Sequence, residues 1–295
     1  MNLHIEKLYL PEIDSRIERI ARAIQNKADQ HDGTVTELPL DYSLNRRQGI
    51  APLLLANTQG KYVGYLSVFQ PLEGTAELTA AVRPEYRKTH IFTRLIQTLR
   101  KSYASETGSI MNIPKFLYVC NRNSLEGKGV LTHFGMTVNH TEYLMQLDLH
   151  IYQSGMFRRK KETLIRKAEL QDTEDLVRLF TQTFHESEAE ARSYVNGALT
   201  NLARTQLIMF HKTTPAGLGS YIHEQGYTSI YGLGILPEYR GRGLGRTLLN
   251  SIIQEALRHT RPIRLEVDST NELALKLYQS CGFRSVSIYD YYGNV

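Results

Sequence analysis

Two blocks of residues recur in the same order in the two halves of this 295-residue chain, and that repeat constrains the fold more than any single motif. Ala81-Val82-Arg83-Pro84-Glu85-Tyr86-Arg87, followed by a helical pattern from Ile91 to Leu99, parallels Gly234-Ile235-Leu236-Pro237-Glu238-Tyr239-Arg240 and a helix from about Leu244 to Leu257. Further on, Leu117-Tyr118-Val119, Asn123 and Phe134-Gly135 are matched by Leu265-Glu266-Val267, Asn271 and Gly282-Phe283. Blocks repeated in fixed order imply a duplicated domain, and a chain of this length has room for two cores. We place one domain at 1–152, a solvated linker at 153–162 that holds the basic run Arg158-Arg159-Lys160-Lys161, and the second domain at 163–295.

Periodicity gives the class. Leu244, Leu248, Ile252 and Ala256 recur at helical spacing, whereas Ile263, Leu265 and Val267 alternate as in a strand. The second half reads as a strand near 164–168, helices near 173–183 and 188–199, strands near 206–211, 217–223 and 228–236, and the helix after Gly243. A strand at 263–267, a helix at 272–280 and a strand at 285–291 complete it. In the first half the pattern predicts a helix near 13–27, strands near 51–55, 62–69 and 76–82, and a closing hairpin through 136–149. Both halves are therefore α+β, each a mixed, mostly antiparallel twisted sheet flanked by helices. The second half stops too early for a counterpart of the strand at 143–149. Its sheet is expected to be short, or to have its edge covered by another segment or by another subunit of a homo-oligomer.

Composition excludes several classes of function. Thirty-five basic residues against 30 acidic ones give a net charge of only +5, a poor footprint for nucleic acid. No apolar run approaches the length of a membrane span, and MNLHIEKLYLPEID has acidic residues where a signal peptide would be apolar. Cys120 and Cys281 lie far apart with no ligand spacing near either, so neither a disulfide nor a metal site is expected, and a cytoplasmic setting fits.

The strongest chemical signal is Arg240-Gly241-Arg242-Gly243-Leu244-Gly245-Arg246, between a strand and an amphipathic helix. First-turn N–H groups have no intrahelical partner. Glycine permits positive φ and close approach, and the helix dipole with flanking arginines favours an anion such as a diphosphate. A nucleotide triphosphate loop would require Lys-Ser or Lys-Thr after the glycines, and a dinucleotide fold would put the loop early in a βαβ unit. Neither condition is met.

Arg240, Gly243 and Gly245 resemble the cofactor loop of the GNAT acyltransferases, Arg/Gln-x-x-Gly-x-Gly/Ala. A second GNAT signature is matched by Leu265-Glu266-Val267, Asn271, Ala274, Tyr278, Gly282 and Phe283. The likeness is strong over 163–295 and weaker over 1–150, so the chain resembles a tandem GNAT protein with one degenerate copy. The resemblance implies acetyl-CoA as acyl donor, bound by the backbone of Leu233 and Ile235, the loop residues Arg240 to Arg246, and Asn271 and Tyr278.

Asn271, Ala274 and Tyr278 fall at i, i+3 and i+7, on one helix face, and Tyr278 is the candidate general acid for the departing thiolate. The alternative is that its ring simply packs in the core. A base is harder to place. Where many family members carry a glutamate, this chain has Tyr231, too weak at neutral pH unless strongly perturbed. Glu266, His223 and Glu224 are the other candidates, with proton loss through ordered water as a rival. Phe184-His185-Glu186-Ser187-Glu188-Ala189-Glu190 forms an acidic lip that would attract a cationic amine, although such glutamates also suit a helix start. In the first half His90 and Phe92 stand where two loop glycines should be, and Val130 or Leu131 stands opposite Tyr278. That half is expected to lack turnover. The leading reading is an acetyl-CoA-dependent N-acetyltransferase acting on a small-molecule or protein amine by direct attack. The second is an acyl-CoA-binding sensor or interaction module without turnover.

Overall fold

The computed structural model describes residues 2–38, 40, 42–71, 74–108, 113–152, 161–223, 226–259 and 262–294. Most of the expected linker, and Glu224, lie outside them. The chain divides into two units that interleave in sequence, Met1–Thr141 with Ser287–Val295, and Glu142–Val286.

The elements of the first half are β1 (Leu3–Leu8), α1 (Ser15–Asp32), β2 (Leu53–Thr58), β3 (Lys61–Phe69), β4 (Thr75–Val82), α2 (Ile91–Thr107), β5 (Lys115–Asn121), α3 (Leu125–His133) and β6 (Thr137–Leu147). Those of the second are β7 (Thr163–Lys167), α4 (Thr173–Phe184), α5 (Glu188–Thr200), β8 (Arg204–His211), β9 (Thr214–His223), β10 (Thr228–Ile235), α6 (Leu244–Ala256), β11 (Ile263–Asp268), α7 (Glu272–Ser280) and β12 (Phe283–Gly293).

In the first unit the strand order is β1-β2-β3-β4-β5-β12, with only β4 and β5 parallel among the described pairs. Asp14 starts α1 by accepting the N–H groups of Arg16 and Ile17 at 2.9 Å, and Gly33 ends it at φ +66. Ile17, Ala21 and Ile24 of that helix pack on Leu53, Leu55 and Tyr65. Ile91, Leu95 and Leu99 of α2 cover the other face with Phe116 and Tyr118. In the second unit the order is β6-β11-β10-β9-β8-β7. There α4 and α5 cover one face through Leu176, Leu179 and Val195. The other face is covered by α6 and α7 through Leu248, Ile252 and Tyr278, and Cys281 lies in that core.

Two elements differ from expectation. β1 has no match in the sequence reading, and the expected hairpin through 136–149 is the single strand β6. From Glu142 onward β6 belongs to the second unit, where Glu142 to Gln146 pair with Asp268 to Arg264 of β11. In return, Tyr289 to Tyr292 of β12 pair with Asn121 to Tyr118 of β5 in the first unit. The edge left open in the second half is thus covered by another segment of the same chain. A contiguous division at 152 and 163 would part each sheet from its end strand.

Side chains hold both exchanges. Arg122 Nε donates to Asp290 Oδ2 at 3.0 Å, Asn121 Nδ2 to Ser287 Oγ at 2.7 Å, and the Glu37 N–H to Tyr289 Oη at 2.9 Å. In the second unit Arg264 Nε donates to Gln146 Oε1 at 3.0 Å. Burial alone would raise the Asp290 pKa, but the hydrogen bonds from Arg122 and Thr141 outweigh it and hold the carboxyl below its ordinary value.

Deletion of residues 287–295 should therefore speed amide exchange at Tyr118 to Asn121 by about a hundredfold or more while β8 and β9 stay protected. Asp290→Asn should cost about 2 kcal/mol near neutral pH. A carboxylate with a depressed folded pKa contributes above its unfolded value, about 4, and loses that contribution as pH falls through the folded one. Denaturant titrations of wild type and variant should converge by about pH 2.

Candidate active site

A bulge in β10 shapes the site. Tyr231 pairs with Ser220 and Gly234 with Leu218, so Gly232 and Leu233 together face Gly219. Gly232 lies at φ +56, in the left-handed region that glycine enters without strain. On its other side β10 pairs in parallel with β11 only from Thr228 to Ile230 against Ile263 to Leu265. Beyond that point the two strands part. The first unit has Thr79 and Ala81 at the corresponding positions, and β4 pairs with β3 there without any shift of register.

One turn of 3-10 helix (Pro237–Tyr239) carries β10 into the glycine loop. Gly241 and Gly243 lie at φ +73 and +77, and Gly243 is the N-cap of α6 without a side-chain cap. The first-turn N–H groups are left to an outside acceptor at the positive end of the dipole. A Cβ on Gly241 would meet nothing within 4 Å, so the loop is open there. Arg240 Nε donates to the Ile235 carbonyl at 2.9 Å, which orients the guanidinium. Its terminal nitrogens make no hydrogen bond or ion pair among the described residues.

A cleft of about 1330 Å³ is lined by Ile235, Arg240, Gly241, Gly243, Leu244, Gly245 and Arg246, all expected from the sequence. Thr247, Ala274, Lys276 and Leu277 also line it. Of these, Ala274 was legible only as part of the helix face with Tyr278. Four expected residues do not reach the cleft wall. Leu233 packs against the core. Arg242 turns back to donate to the Glu238 carbonyl at 2.9 Å, with its guanidinium 5.4 Å from the Tyr239 ring. Asn271 is the N-cap of α7, its Oδ1 accepting from the Ala274 N–H at 3.1 Å.

Tyr278, the fourth, is 8% exposed with its ring 6.1 Å from Phe283. Burial, with a smaller contribution from Cys281, pushes its phenol up to about 12. It keeps its proton throughout the neutral range.

The base candidates separate by position. His223 pairs with Thr228, where β10 begins, roughly 20 Å of strand before Gly234. Its ring bonds Thr228 Oγ1 at 2.9 Å, and burial and His259 lower its pKa. Glu266 is exposed on β11. Tyr231 lies with its ring 5.1 Å from the Arg204 guanidinium, which donates to Ser220 Oγ at 3.0 Å.

The matching loop of the first unit keeps the backbone and loses the opening. Lys88 and His90 adopt φ +61 and +63, as Gly241 and Gly243 do, at about 1–2 kcal/mol of strain each. Arg87 Nε bonds the Val82 carbonyl at 3.2 Å, as Arg240 bonds Ile235. Its terminal nitrogens, however, hold Asp32 at 2.6 and 3.0 Å and Glu126 at 2.8 Å. Phe92, at the position of Gly245, packs 6.2 Å from Tyr118 and 6.3 Å from Phe134. Among the described residues no group of His, Cys, Asp and Glu could hold a metal ion, and no helix is long and apolar enough to cross a membrane.

Residues 173–283 match the model of the acetyltransferase (GNAT) family. Mycothiol acetyltransferase of Mycobacterium ulcerans is 35% identical over 91 residues, which is 28% of this chain and 27% of that protein's length. A GCN5-related N-acetyltransferase from Sphaerobacter thermophilus superposes at TM-score 0.74 with 15% identity, covering 99% of this chain and 95% of that one. A tandem GNAT protein of the clavulanic acid pathway superposes at 0.71 with 14% identity, covering 99% and 98%. The C-terminal region of the chain thus carries a domain of the GNAT acetyltransferase family, within a fold that is shared over its whole length with tandem GNAT proteins.

Proposed function

We propose that the second unit transfers an acetyl group from acetyl-CoA to a primary amine by direct attack in a ternary complex, and that the first unit supports it without turnover. The observation that carries this reading is the contrast between two arginines. Arg240 is oriented by a backbone bond and leaves its terminal nitrogens to the cleft, whereas the chain's own carboxylates neutralise Arg87.

The open N–H groups at the start of α6, together with Arg240 and Arg246, suit a diphosphate. The edge of β10 from Tyr231 to Ile235 is free of β11 and offers backbone groups to an extended amide-bearing arm, and a backbone N–H there would polarise the thioester carbonyl. The thioester supplies the acyl group. Tyr278, protonated at neutral pH and one turn of α7 from the cleft-lining Ala274, would hand its proton to the departing sulfur. The acceptor is a small-molecule amine or a protein amine, and no base on β10 is required if a residue outside that strand takes the ammonium proton.

Release of CoA with a panel of primary amines tests the reading. Saturable acetyl-CoA binding without turnover on any amine would instead favour a sensor. Gly243→Glu should abolish acetyl-CoA binding in calorimetry while the fold survives, because His90 already holds the same backbone conformation without glycine. Tyr278→Phe should leave binding intact and slow turnover at least tenfold, roughly 1.4 kcal/mol of barrier. Wild-type kcat should show no alkaline loss from this phenol below about pH 10, its ordinary value.

A further inference from the structure

Arg204, the first residue of β8, is a charged side chain only 5% exposed. Burying a charge is costly, so it needs good partners. Its guanidinium donates to Tyr194 Oη of α5 at 3.3 Å and to Ser220 Oγ of β9 at 3.0 Å. Ser220 Oγ in turn donates to the Tyr231 carbonyl of β10 at 3.3 Å. The same guanidinium lies 5.1 Å from the Tyr231 ring and 5.8 Å from the Tyr194 ring, within cation–π range of both. A Cβ built on Gly232 would lie 3.4 Å from Tyr194 Oη. One buried cation is thus linked, through β9 and α5, to the residues that enter the β10 bulge.

The phase of the ladder between β10 and β11 shows what the Tyr231 carbonyl controls. The Thr228 N–H donates to the Pro262 carbonyl at 2.9 Å, so Thr228 and Ile230 face β11, and the next N–H due on that side belongs to Gly232. Continued register would bring it to the Glu266 carbonyl, but pairing stops at Ile230 with Leu265. Tyr231 faces β9 instead, opposite Ser220. In a planar trans peptide the carbonyl and the N–H that follows it point in opposite directions. A Tyr231 carbonyl held toward Ser220 therefore aims the Gly232 N–H into the gap where β10 and β11 part. Tyr231 to Leu233 are half-buried there, and Ile235 of the same strand lines the cleft.

We infer that Arg204 and Ser220 are positioning residues for acetyl transfer, fixing the Tyr231–Gly232 peptide so that its N–H can hydrogen-bond the thioester carbonyl in that gap. The inference rests on the acetyltransferase reading and names the side chains that hold the donor it needs. Glycine at φ +56 leaves this peptide free to turn over, so its orientation calls for an anchor outside the backbone. Arg204 donates to the oxygen whose own hydrogen reaches the carbonyl, and such chains strengthen each bond in them. A preset donor stabilises the charge that develops on the carbonyl oxygen without reorganising first. No bond to either residue changes. A free amine forms the C–N bond, the C–S bond breaks with its electron pair on sulfur, and the amine proton is balanced by the thiol, giving amide and CoA.

The test reads the carbonyl itself in the full chain, using acetyl-CoA labelled with carbon-13 at the acetyl carbonyl and no amine. Isotope-edited infrared difference spectra should place the bound wild-type band below that of free acetyl-CoA. Ser220→Ala, and Arg204→Met, which removes the donors and the charge, should return the band toward the free position with acetyl-CoA affinity unchanged. With n-butylamine as acceptor, kcat should fall about tenfold in both variants while KM for acetyl-CoA holds. A wild-type band at the free position would overturn the assignment, as would a displaced band that Ser220→Ala retains. So would loss of affinity in step with the band, the mark of a generally disturbed cleft. Should Arg204→Met fail to fold, Ser220→Ala, which removes a single oxygen, carries the test alone. The infrared result needs no turnover and decides the matter whichever amine is the acceptor. Absence of acetyl-CoA binding by the wild type would remove the acetyltransferase reading and this inference with it.

Discussion

The parting of β10 from β11 after Ile230 and Leu265 is the constraint on which the site depends. A parallel pair held to its ends would bury the backbone edge of Tyr231 to Ile235 in ladder bonds. Instead Gly232 takes a left-handed conformation, inserts one residue against β9, and increases the local bend. Three neighbouring side chains occupy the space that side chains at Gly232 and Gly234 would need. Thr183 and Phe184 lie where a Cβ on Gly234 would be, and Tyr194 lies beside Gly232. The same two glycines that open the strand on one side thus let the α4–α5 elbow approach on the other.

The two loop positions share a backbone and differ in what their side chains leave open. Backbone geometry is nearly the same, including the left-handed residues at Lys88 and His90, although these cost strain that Gly241 and Gly243 avoid. What changed is the company of the arginine. Asp32 and Glu126 supply to Arg87 the negative charge that the cleft leaves to an outside group at Arg240. Phe92 then packs into aromatic neighbours where Gly245 leaves space.

Reciprocal exchange of β6 and β12 ties the stability of each sheet to sequence from the other half of the chain. The first sheet ends on residues at the C-terminus of the chain and the second on residues near its middle. Neither half of the sequence encodes a complete sheet by itself. A contact such as Arg122 to Asp290, 168 positions apart, therefore serves as a specific clasp for the exchange.

Sequence by itself determined the duplication, the class, most helices and strands, and the glycine loop at the start of α6. These rest on local physics. Apolar period distinguishes helix from strand, and positive φ at a helix start calls for residues like Gly241 and Gly243. Even the bulge had a local signal in Tyr231-Gly232-Leu233-Gly234, since glycine inside a strand marks an irregularity. Tertiary structure alone decided which strand closes which sheet, because alternation in β6 and β12 specifies a face and carries no information about the neighbour. It alone revealed the carboxylates that hold Arg87. A side chain's partners are set by residues far away in the chain, and only the packed fold brings them within reach.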